Sequence, residues 1–252
     1  MADPEFINAT LKERRDSSKD LGVFVFEPEQ ELSWVSGQYC TLGIMEEEKR
    51  IERPYSLASA PFEKRLELFV ELVLDGGLSP LLWKLKIGDT VTVRPKIRGK
   101  FTLDVESGRK THFMVSTVTG AAPYVSMIRH HKEHHDELKS AGHRFFMIHG
   151  GSRSHELTYV DELNKIQADA DWLTYVPTVS RPQEDPDWKG ETGRVEDVIR
   201  KYFDQLDCPP SDVTAYLCGH PGMIETARGI LARAGMQKEQ ILEEQYFPAA
   251  TS

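Results

Sequence analysis

The chain has 252 residues, of which 39% are hydrophobic and 28% are charged, and its formal net charge at pH 7 is -9. This is the composition of an ordinary globular protein, and the length is sufficient for two domains. The negative charge argues against nonspecific binding to nucleic acid, whose phosphates attract basic surfaces.

The first part of the chain is predicted to be a small antiparallel barrel. Residues 65–74 carry an aliphatic residue at every second position, as in a strand with one buried face. Further strands are predicted at residues 21–26, 38–44, 90–94 and 101–103, and a helix at 79–86. Short strands at this spacing, separated by Gly, Pro and charged turns, favour a β-barrel.

From about residue 111, predicted strands alternate with helices. The strands are at residues 112–117, 144–149, 172–178, 212–218 and 240–247. The helices are at 122–139, 159–168, 195–203 and 221–234, and residues 180–193 form a loop. Gly235 follows the last helix at a typical stop position. Five strands with intervening helices predict a parallel, doubly wound sheet, in which ligands bind beyond the carboxyl ends of the strands.

Cysteine usage and hydropathy suggest a cytoplasmic protein. Cys40, Cys208 and Cys218 do not form a disulfide pattern and cannot supply the four thiolates of an ordinary iron–sulfur cluster. No apolar run approaches the roughly 20 residues of a transmembrane helix, and no signal peptide is evident. Residues 1–6 resemble a translated cloning linker and are excluded from the fold.

Two motifs in the barrel part can bind a phosphate and a flat ring. Arg53-Pro54-Tyr55-Ser56 places a forked cation, an aromatic ring and a hydroxyl along one strand. Gly76-Gly77-Leu78-Ser79 precedes the predicted helix, where backbone amides can surround a phosphate. Each motif alone is a weak signal, because a strand Tyr is usually packing and Gly-Gly is usually a turn.

Together with further motifs, these residues resemble the ferredoxin–NADP(H) reductase family, in its bacterial branch. The resemblance extends over nearly the whole chain from residue 7. Its other motifs are Gly37-Gln38-Tyr39, Gly88-Asp89, Thr119-Gly120-Ala121-Ala122-Pro123, Glu156-Leu157-Thr158-Tyr159 and Cys218-Gly219-His220-Pro221-Gly222-Met223. It implies a two-domain β plus α/β protein: an antiparallel β-barrel FAD domain at residues 7–107 and a five-stranded Rossmann-like NADP(H) domain at 108–252.

By this resemblance, Arg53 pairs with the FAD pyrophosphate, Tyr55 packs on the isoalloxazine and Ser56 approaches its N5 edge. The alternative for Ser56 is a strand hydroxyl bonded to nearby backbone. The implied FAD-binding residues are Arg53, Pro54, Tyr55, Ser56, Glu71, Leu72, Val73, Gly76, Gly77, Leu78 and Ser79.

The resemblance places the nucleotide phosphates at Thr119 and Gly120, before a helix, with Val118 where the family usually has Gly. A cation at the 2′-phosphate distinguishes NADP from NAD. The candidates are Arg153, Arg181 and Arg194, and the family's usual Arg falls at Ser152. Each could instead be a solvated loop residue.

The resemblance also places Cys218 beside the reacting nicotinamide, although a free Cys is commonly a small buried hydrophobe. Tyr246 is implied near the flavin, and Tyr246 or Phe247 could stack on a cofactor ring. The alternative is an edge strand that packs its aromatics inward. His130, His131, His134 and His135 are interpreted as a solvated helix face, and no metal site is expected.

The implied activity is hydride transfer between nicotinamide C4 and flavin N5, followed by single-electron transfer to ferredoxin or flavodoxin. A monomer is expected, and the acidic partner would meet a basic face. Contributors to that face are Lys84, Lys86, Lys96, Arg98 and Lys100. The alternatives are an NADH-dependent oxygenase reductase component, a ferric or quinone reductase, or a non-enzymatic FAD-binding subunit.

Overall fold

The computed structural model describes residues 5–134 and 142–245. The described residues form two compact units: residues 5–102 and 122–130 belong to the first, and the rest belong to the second. Tyr246, Phe247 and His135 lie outside the described residues. Within the described ranges, no helix is both long enough and apolar enough to cross a membrane.

The first unit is built on an antiparallel sheet in the order β4-β3-β6-β1-β2-β5. Its strands are β1 (Ile7–Asp16), β2 (Leu21–Pro28), β3 (Tyr39–Glu46), β4 (Lys49–Ser56), β5 (Leu66–Glu71) and β6 (Thr90–Val93), and its short helix is α1 (Ser79–Lys84). A bridge between Leu57 and Leu68 joins the two outer strands, so the sheet curls into the predicted barrel.

Two strand predictions in this unit were wrong. Residues 101–103 form no strand, because Phe101 is instead buried against Tyr124, with ring centroids 5.9 Å apart. β1 was not predicted, because its second half is highly charged and hides the alternation. Strand β5 also ends at Glu71 rather than at residue 74.

Strand β5 is buried on both faces, and one of its buried residues is the carboxylate Glu67. Helix α2 (Ala122–Glu133) supplies Arg129, whose guanidinium lies 3.2 Å from Glu67 and 3.3 Å from Glu63. Arg65 lies 3.6 Å from the same buried carboxylate. Because an unpaired buried charge is costly, these arginines are what allow Glu67 to lie inside the unit.

The second unit contains a parallel sheet in the order β10-β9-β8-β7-β11-β12. Its strands are β7 (Thr111–Thr117), β8 (Arg144–Gly151), β9 (Leu173–Val179), β10 (Glu191–Thr192), β11 (Val213–Gly219) and β12 (Ile241–Gln245). The helices α3 (Val160–Asp169), α4 (Val195–Phe203) and α5 (Pro221–Arg233) connect them. The direction of winding changes between β7 and β11, where this fold class binds ligands.

The sheet has six strands rather than the predicted five. The additional strand is β10, in which Glu191 and Thr192 pair with Thr178 and Val179 of β9. A pairing of two residues carries no alternating pattern, so the loop prediction for residues 180–193 missed it. The predicted stop at Gly235 agrees with its left-handed backbone, φ +99°.

A buried histidine lies at the amino end of β7. The hydroxyl of Tyr216 accepts the Asp104 backbone N–H at 2.9 Å and donates to His112 Nδ1 at 3.0 Å. The Nε2–H of His112 then donates to His143 Nδ1 at 2.8 Å. Burial, together with the nearby His143, lowers the pKa of His112 to about 3.

This pKa shift predicts a specific loss of stability in acid. Below the unfolded-state pKa of about 6.5, the unfolded chain binds a proton that folded His112 refuses. The free energy of unfolding should therefore fall between pH 6.5 and pH 4, and His112 should contribute about 1 kcal/mol per pH unit to that slope. Urea unfolding of the native chain and of His112→Leu, followed by tryptophan fluorescence, measures the difference. Equal slopes in the two proteins would contradict the assignment.

Candidate cofactor-binding site

The motif Arg53–Ser56 forms the last four residues of β4, paired with β3. Exposure decreases along it: Arg53 and Pro54 are exposed, Tyr55 is half-buried and Ser56 is buried. Burial, followed by the charge of nearby Cys40, raises the pKa of the Tyr55 hydroxyl. The strand therefore ends with a cation at the surface and an uncharged aromatic ring beside the barrel core.

The Gly76–Ser79 motif lies against β4. A Cβ placed on Gly77 would be 3.2 Å from the Ile51 side chain and 3.3 Å from Nη2 of Arg53. The structure thus brings the cation of one motif to the glycine of the other, as a phosphate clamp requires. These motifs are separated in sequence, and the curvature of the barrel joins them.

Leu78 and Ser79 hold this turn from inside. Leu78 is fully buried in the barrel core. The Ser79 hydroxyl accepts the Val73 N–H at 3.0 Å and contacts the Val73 carbonyl at 3.3 Å. The side chain of Ser79 is thus occupied with backbone between β5 and α1, which leaves the glycines as the open part of the motif.

Glu71, Leu72 and Val73 form the chain segment that leaves β5. The Leu72 N–H donates to the Asp20 carbonyl at 2.7 Å, which fixes the direction of the segment. Glu71 and Val73 point outward, and the following Leu74 is 80% exposed. An apolar side chain with this exposure, next to the Arg53–Gly77 pair, is suited to cover part of a flat ligand.

In the second unit, the turn after β7 packs directly on the end of β11. A Cβ on Gly120 would lie only 2.4 Å from the Cys218 carbonyl oxygen and 2.9 Å from Gly219 Cα. The Thr117 hydroxyl accepts the His220 N–H at 3.1 Å, a second link between the strand ends. Cys218 is fully buried. Thr119, Gly120 and Cys218 are therefore neighbours at the change in winding direction.

Val118 begins this turn with a left-handed backbone, φ +44°. This conformation is unfavourable for a β-branched residue, and it accounts for the usual glycine at this position. His149, which sequence reasoning did not single out, donates through Nε2 to the Val118 carbonyl at 3.0 Å. The only signal in the sequence was a polar residue at the end of an apolar strand.

Two of the three candidate arginines share one carboxylate. Arg153 forms an ion pair with Glu184, and Arg181 Nη1 lies 3.9 Å from the other oxygen of Glu184. The loops after β8 and β9 are joined by the Arg181 N–H, which donates to the Ser152 carbonyl at 3.0 Å. Glu184 was missed because it is one of several acids in its loop.

Arg194 is exposed and immediately precedes α4. Its backbone N–H donates to Asp197 at 3.1 Å and caps the helix. It follows Gly193, whose N–H donates to the Val179 carbonyl at 2.9 Å, so it emerges beside the end of β9. All three candidate arginines thus follow strand ends, and Arg153 and Arg181 meet at Glu184.

The histidine cluster on α2 differs from its predicted role. His131 is fully buried, and its ring lies 4.4 Å from the Trp172 ring and 4.6 Å from the Phe145 ring between centroids. The solvated-face interpretation was wrong for this residue, because the inward side of α2 faces aromatic residues of the sheet. In the part of the chain that the structure describes, no group of three or more potential ligands could hold a metal ion.

The predicted ring-covering residues Tyr246 and Phe247 follow the last described residue, Gln245. Gln245 pairs with Gly219 at the end of β12. The described chain therefore stops beside the Cys218–Gly219 contact.

Two family models match the chain along the same division. The oxidoreductase FAD-binding domain matches residues 8–102, and the oxidoreductase NAD-binding domain matches residues 114–229. A ferredoxin–NADP reductase from Pseudomonas aeruginosa is 30% identical over 214 residues, which cover 82% of this chain and 81% of the relative. The chain belongs to the ferredoxin–NADP reductase family.

Other relatives show the range of this family. A flavodoxin/ferredoxin–NADP reductase from Buchnera aphidicola is 34% identical over 140 residues, 52% of each chain. A solved ferredoxin NADP+ reductase from Neisseria gonorrhoeae, with bound FAD and NADP, superimposes with a TM-score of 0.83. It is 24% identical, and the match covers 97% of this chain and 100% of that one.

Membership of the ferredoxin–NADP reductase family confirms several predictions. The fold class is confirmed with the corrected strand count, and the chain is an oxidoreductase with a flavin domain and a nicotinamide nucleotide domain. FAD and a nicotinamide nucleotide are its cofactors.

The close contact at Gly120 predicts a damaging substitution. Gly120→Ala would force its Cβ into the Cys218 carbonyl, so the turn after β7 must move. We expect about tenfold weaker binding of NADP+ with normal FAD content, measured by difference absorbance. Gly229→Ala is the control, because its Cβ would meet only the Arg233 side chain at 3.4 Å. Unchanged affinity in Gly120→Ala would show that the turn does not bind nucleotide.

Proposed function

We propose that this chain is a reductase that exchanges electrons between NADP(H) and ferredoxin or flavodoxin through FAD. The observation that carries the choice of NADP(H) is the pair Arg153 and Arg181 on either side of Glu184. Two arginines that already hold one anionic group can hold a 2′-phosphate by the same forked contacts. The curated relatives support the partner class, since their names include ferredoxin or flavodoxin.

The first unit supplies the flavin site, and we assign it to residues 7–107. Arg53 and the open Gly76–Gly77 backbone hold the pyrophosphate, and this fits the glycine position that a Cβ would fill. Tyr55 stacks on the isoalloxazine, and the buried Ser56 directs a hydroxyl toward its N5 edge. Pro54, Glu71, Leu72, Val73, Leu78 and Ser79 shape the remaining contacts.

The second unit, residues 108–252, supplies the nucleotide site. Bound FAD provides the chemistry, namely hydride exchange with the nicotinamide and single-electron exchange with a protein. Thr119 and Gly120 orient the nucleotide phosphates, and Cys218 lies beside the nicotinamide. Arg194 contributes positive charge near the 2′-phosphate. Tyr246 and Phe247 are proposed to cover the flavin ring.

An acidic redox partner requires a basic surface, since opposite charges steer association. Lys84, Lys86, Lys96, Arg98 and Lys100 are all exposed in the first unit. Local potential outweighs the total charge of -9 in such docking. A monomer in the cytoplasm remains our expectation.

Anaerobic mixing with NADPH and, separately, NADH tests the nucleotide preference. The concentration giving half the maximal rate of flavin bleaching should be about tenfold lower or more for NADPH. Replacing both Arg153 and Arg181 by Ala should raise that concentration for NADPH alone. Glu184→Gln should lower it about twofold to threefold at low salt, because a competing negative charge is removed.

Arg200→Ala is the matched control for these variants, because Arg200 is also exposed and ion-paired, at 2.7 Å from Asp204. Equal half-maximal concentrations for the two nucleotides would contradict the NADP(H) assignment. A flavin spectrum that neither nucleotide bleaches would favour the non-enzymatic subunit.

Charge reversal tests the partner surface. The double variant Lys96→Glu, Arg98→Glu should slow reduction of ferredoxin about tenfold and weaken its dependence on salt. Reduction of a small neutral dye should not change, because the dye needs no charged docking surface. The control is Lys12→Glu, Lys64→Glu, which reverses two exposed lysines elsewhere in the barrel unit. Equal slowing with both acceptors would refute the docking surface.

A further inference from the structure

The turn that begins at Val118 holds an unfavourable conformation, and the structure shows what opposes its relaxation. Val118 has φ +44°, in a region that L-residues with branched Cβ atoms rarely adopt. Such a conformation persists where neighbouring contacts determine it. The contact in question is the 3.0 Å hydrogen bond from His149 Nε2 to the Val118 carbonyl.

His149 is well suited to hold that carbonyl. It lies near the end of β8, paired with Ser116 of β7, and it is fully buried. A carbonyl can only accept, so Nε2 of the ring carries the proton and Nδ1 carries a lone pair. Nδ1 lies 3.1 Å from the hydroxyl of Tyr175 on β9, which must therefore donate. Tyr175 fixes both the tautomer and the ring orientation.

The electrostatics of the two buried groups agree with this geometry. Burial lowers the pKa of His149 to about 4, so the ring is neutral at pH 7 and keeps its lone pair. Burial also raises the pKa of the Tyr175 hydroxyl, which keeps its proton. The pair acts as a fixed chain of two donors that ends at the Val118 carbonyl.

The consequence for the nucleotide site follows from the planar peptide bond. In a trans peptide the carbonyl and the next N–H point in opposite directions. With the Val118 carbonyl held toward the buried imidazole, the Thr119 N–H is directed away from it. We propose that His149, oriented by Tyr175, is a positioning residue that sets the Val118–Ala121 turn for binding the phosphates of the nicotinamide nucleotide.

This inference rests on the proposed nucleotide site, and it concerns the pyrophosphate that NADPH and NADH share. Loss of the His149 donor should therefore weaken both nucleotides by the same factor. Loss of the arginines should weaken NADPH alone. This difference separates the role of His149 from the role of the 2′-phosphate cluster.

The test uses the FAD-loaded protein and three variants. In His149→Leu the dissociation constants of NADP+ and NAD+, from difference absorbance, should both rise about tenfold. His149→Gln keeps a donor at the same reach and should remain within about threefold of the native protein. Tyr175→Phe keeps the imidazole but frees its orientation, and an intermediate rise is expected.

His112→Leu is the control for general loosening. It removes another buried, hydrogen-bonded histidine from the same sheet, at the opposite end of the neighbouring strand. It should lower the melting temperature without changing nucleotide affinity. Equal losses of affinity in His112→Leu and His149→Leu would overturn the proposal, as would an unchanged affinity in His149→Leu. Should His149→Leu fail to fold, the Tyr175→Phe and His149→Gln affinities decide the question in the same way.

A native protein that binds neither nucleotide would instead refute the proposed function. In that case the FAD spectrum would remain normal and no variant could differ from the native chain. The failure of the proposed function and the failure of the His149 inference therefore give different results.

Discussion

The contact between Gly120 and the Cys218–Gly219 backbone is the constraint on which the second unit's ligand edge depends. With room for no Cβ at position 120, the turn after β7 lies directly against the end of β11. The parallel pairing of Ser116 with Cys218 sets the strand ends level, and Thr117 ties them through the His220 N–H. The turn that faces phosphate and the cysteine that faces the nicotinamide are therefore positioned by one contact. A shift in either strand would move both groups.

Each buried polar group in the fold is kept in a definite charge state by its neighbours. Glu67 remains charged inside the barrel unit because Arg129 and Arg65 approach it. His149 has no charged partner of that kind, and burial keeps it neutral. A neutral imidazole with one donor and one acceptor can link two different elements, which a charged ring could not do. The same physical cost of burial therefore yields an ion pair in one unit and an oriented relay in the other.

The sequence was informative wherever function depends on local motifs. Arg53–Ser56 and Gly76–Ser79 each indicated a phosphate site, and the barrel brings Arg53 to Gly77. Sequence reasoning could not find His149 or Glu184, because neither has a local pattern and each acquires its role only through the order of β7, β8 and β9. The two-residue strand β10 escaped for a similar reason, since its pairing with β9 depends on tertiary structure. Contacts between strands are set by topology, and a single sequence carries little information about topology beyond its motifs.

Two departures from the family pattern occur at the ligand edge, and the structure gives each a neighbouring contact. Val118 replaces a glycine, and the His149 donor lies against its carbonyl at 3.0 Å. Arg153 stands one residue later than usual, and Glu184 draws it together with Arg181. An exposed carboxylate between two arginines keeps their side chains gathered while the nucleotide is absent, yet it competes with a phosphate for the same donors. The net effect on affinity is the difference between these two terms. Because the carboxylate is exposed, salt screens the competition more than it disturbs the geometry, so the cluster favours preorganisation over charge neutralisation.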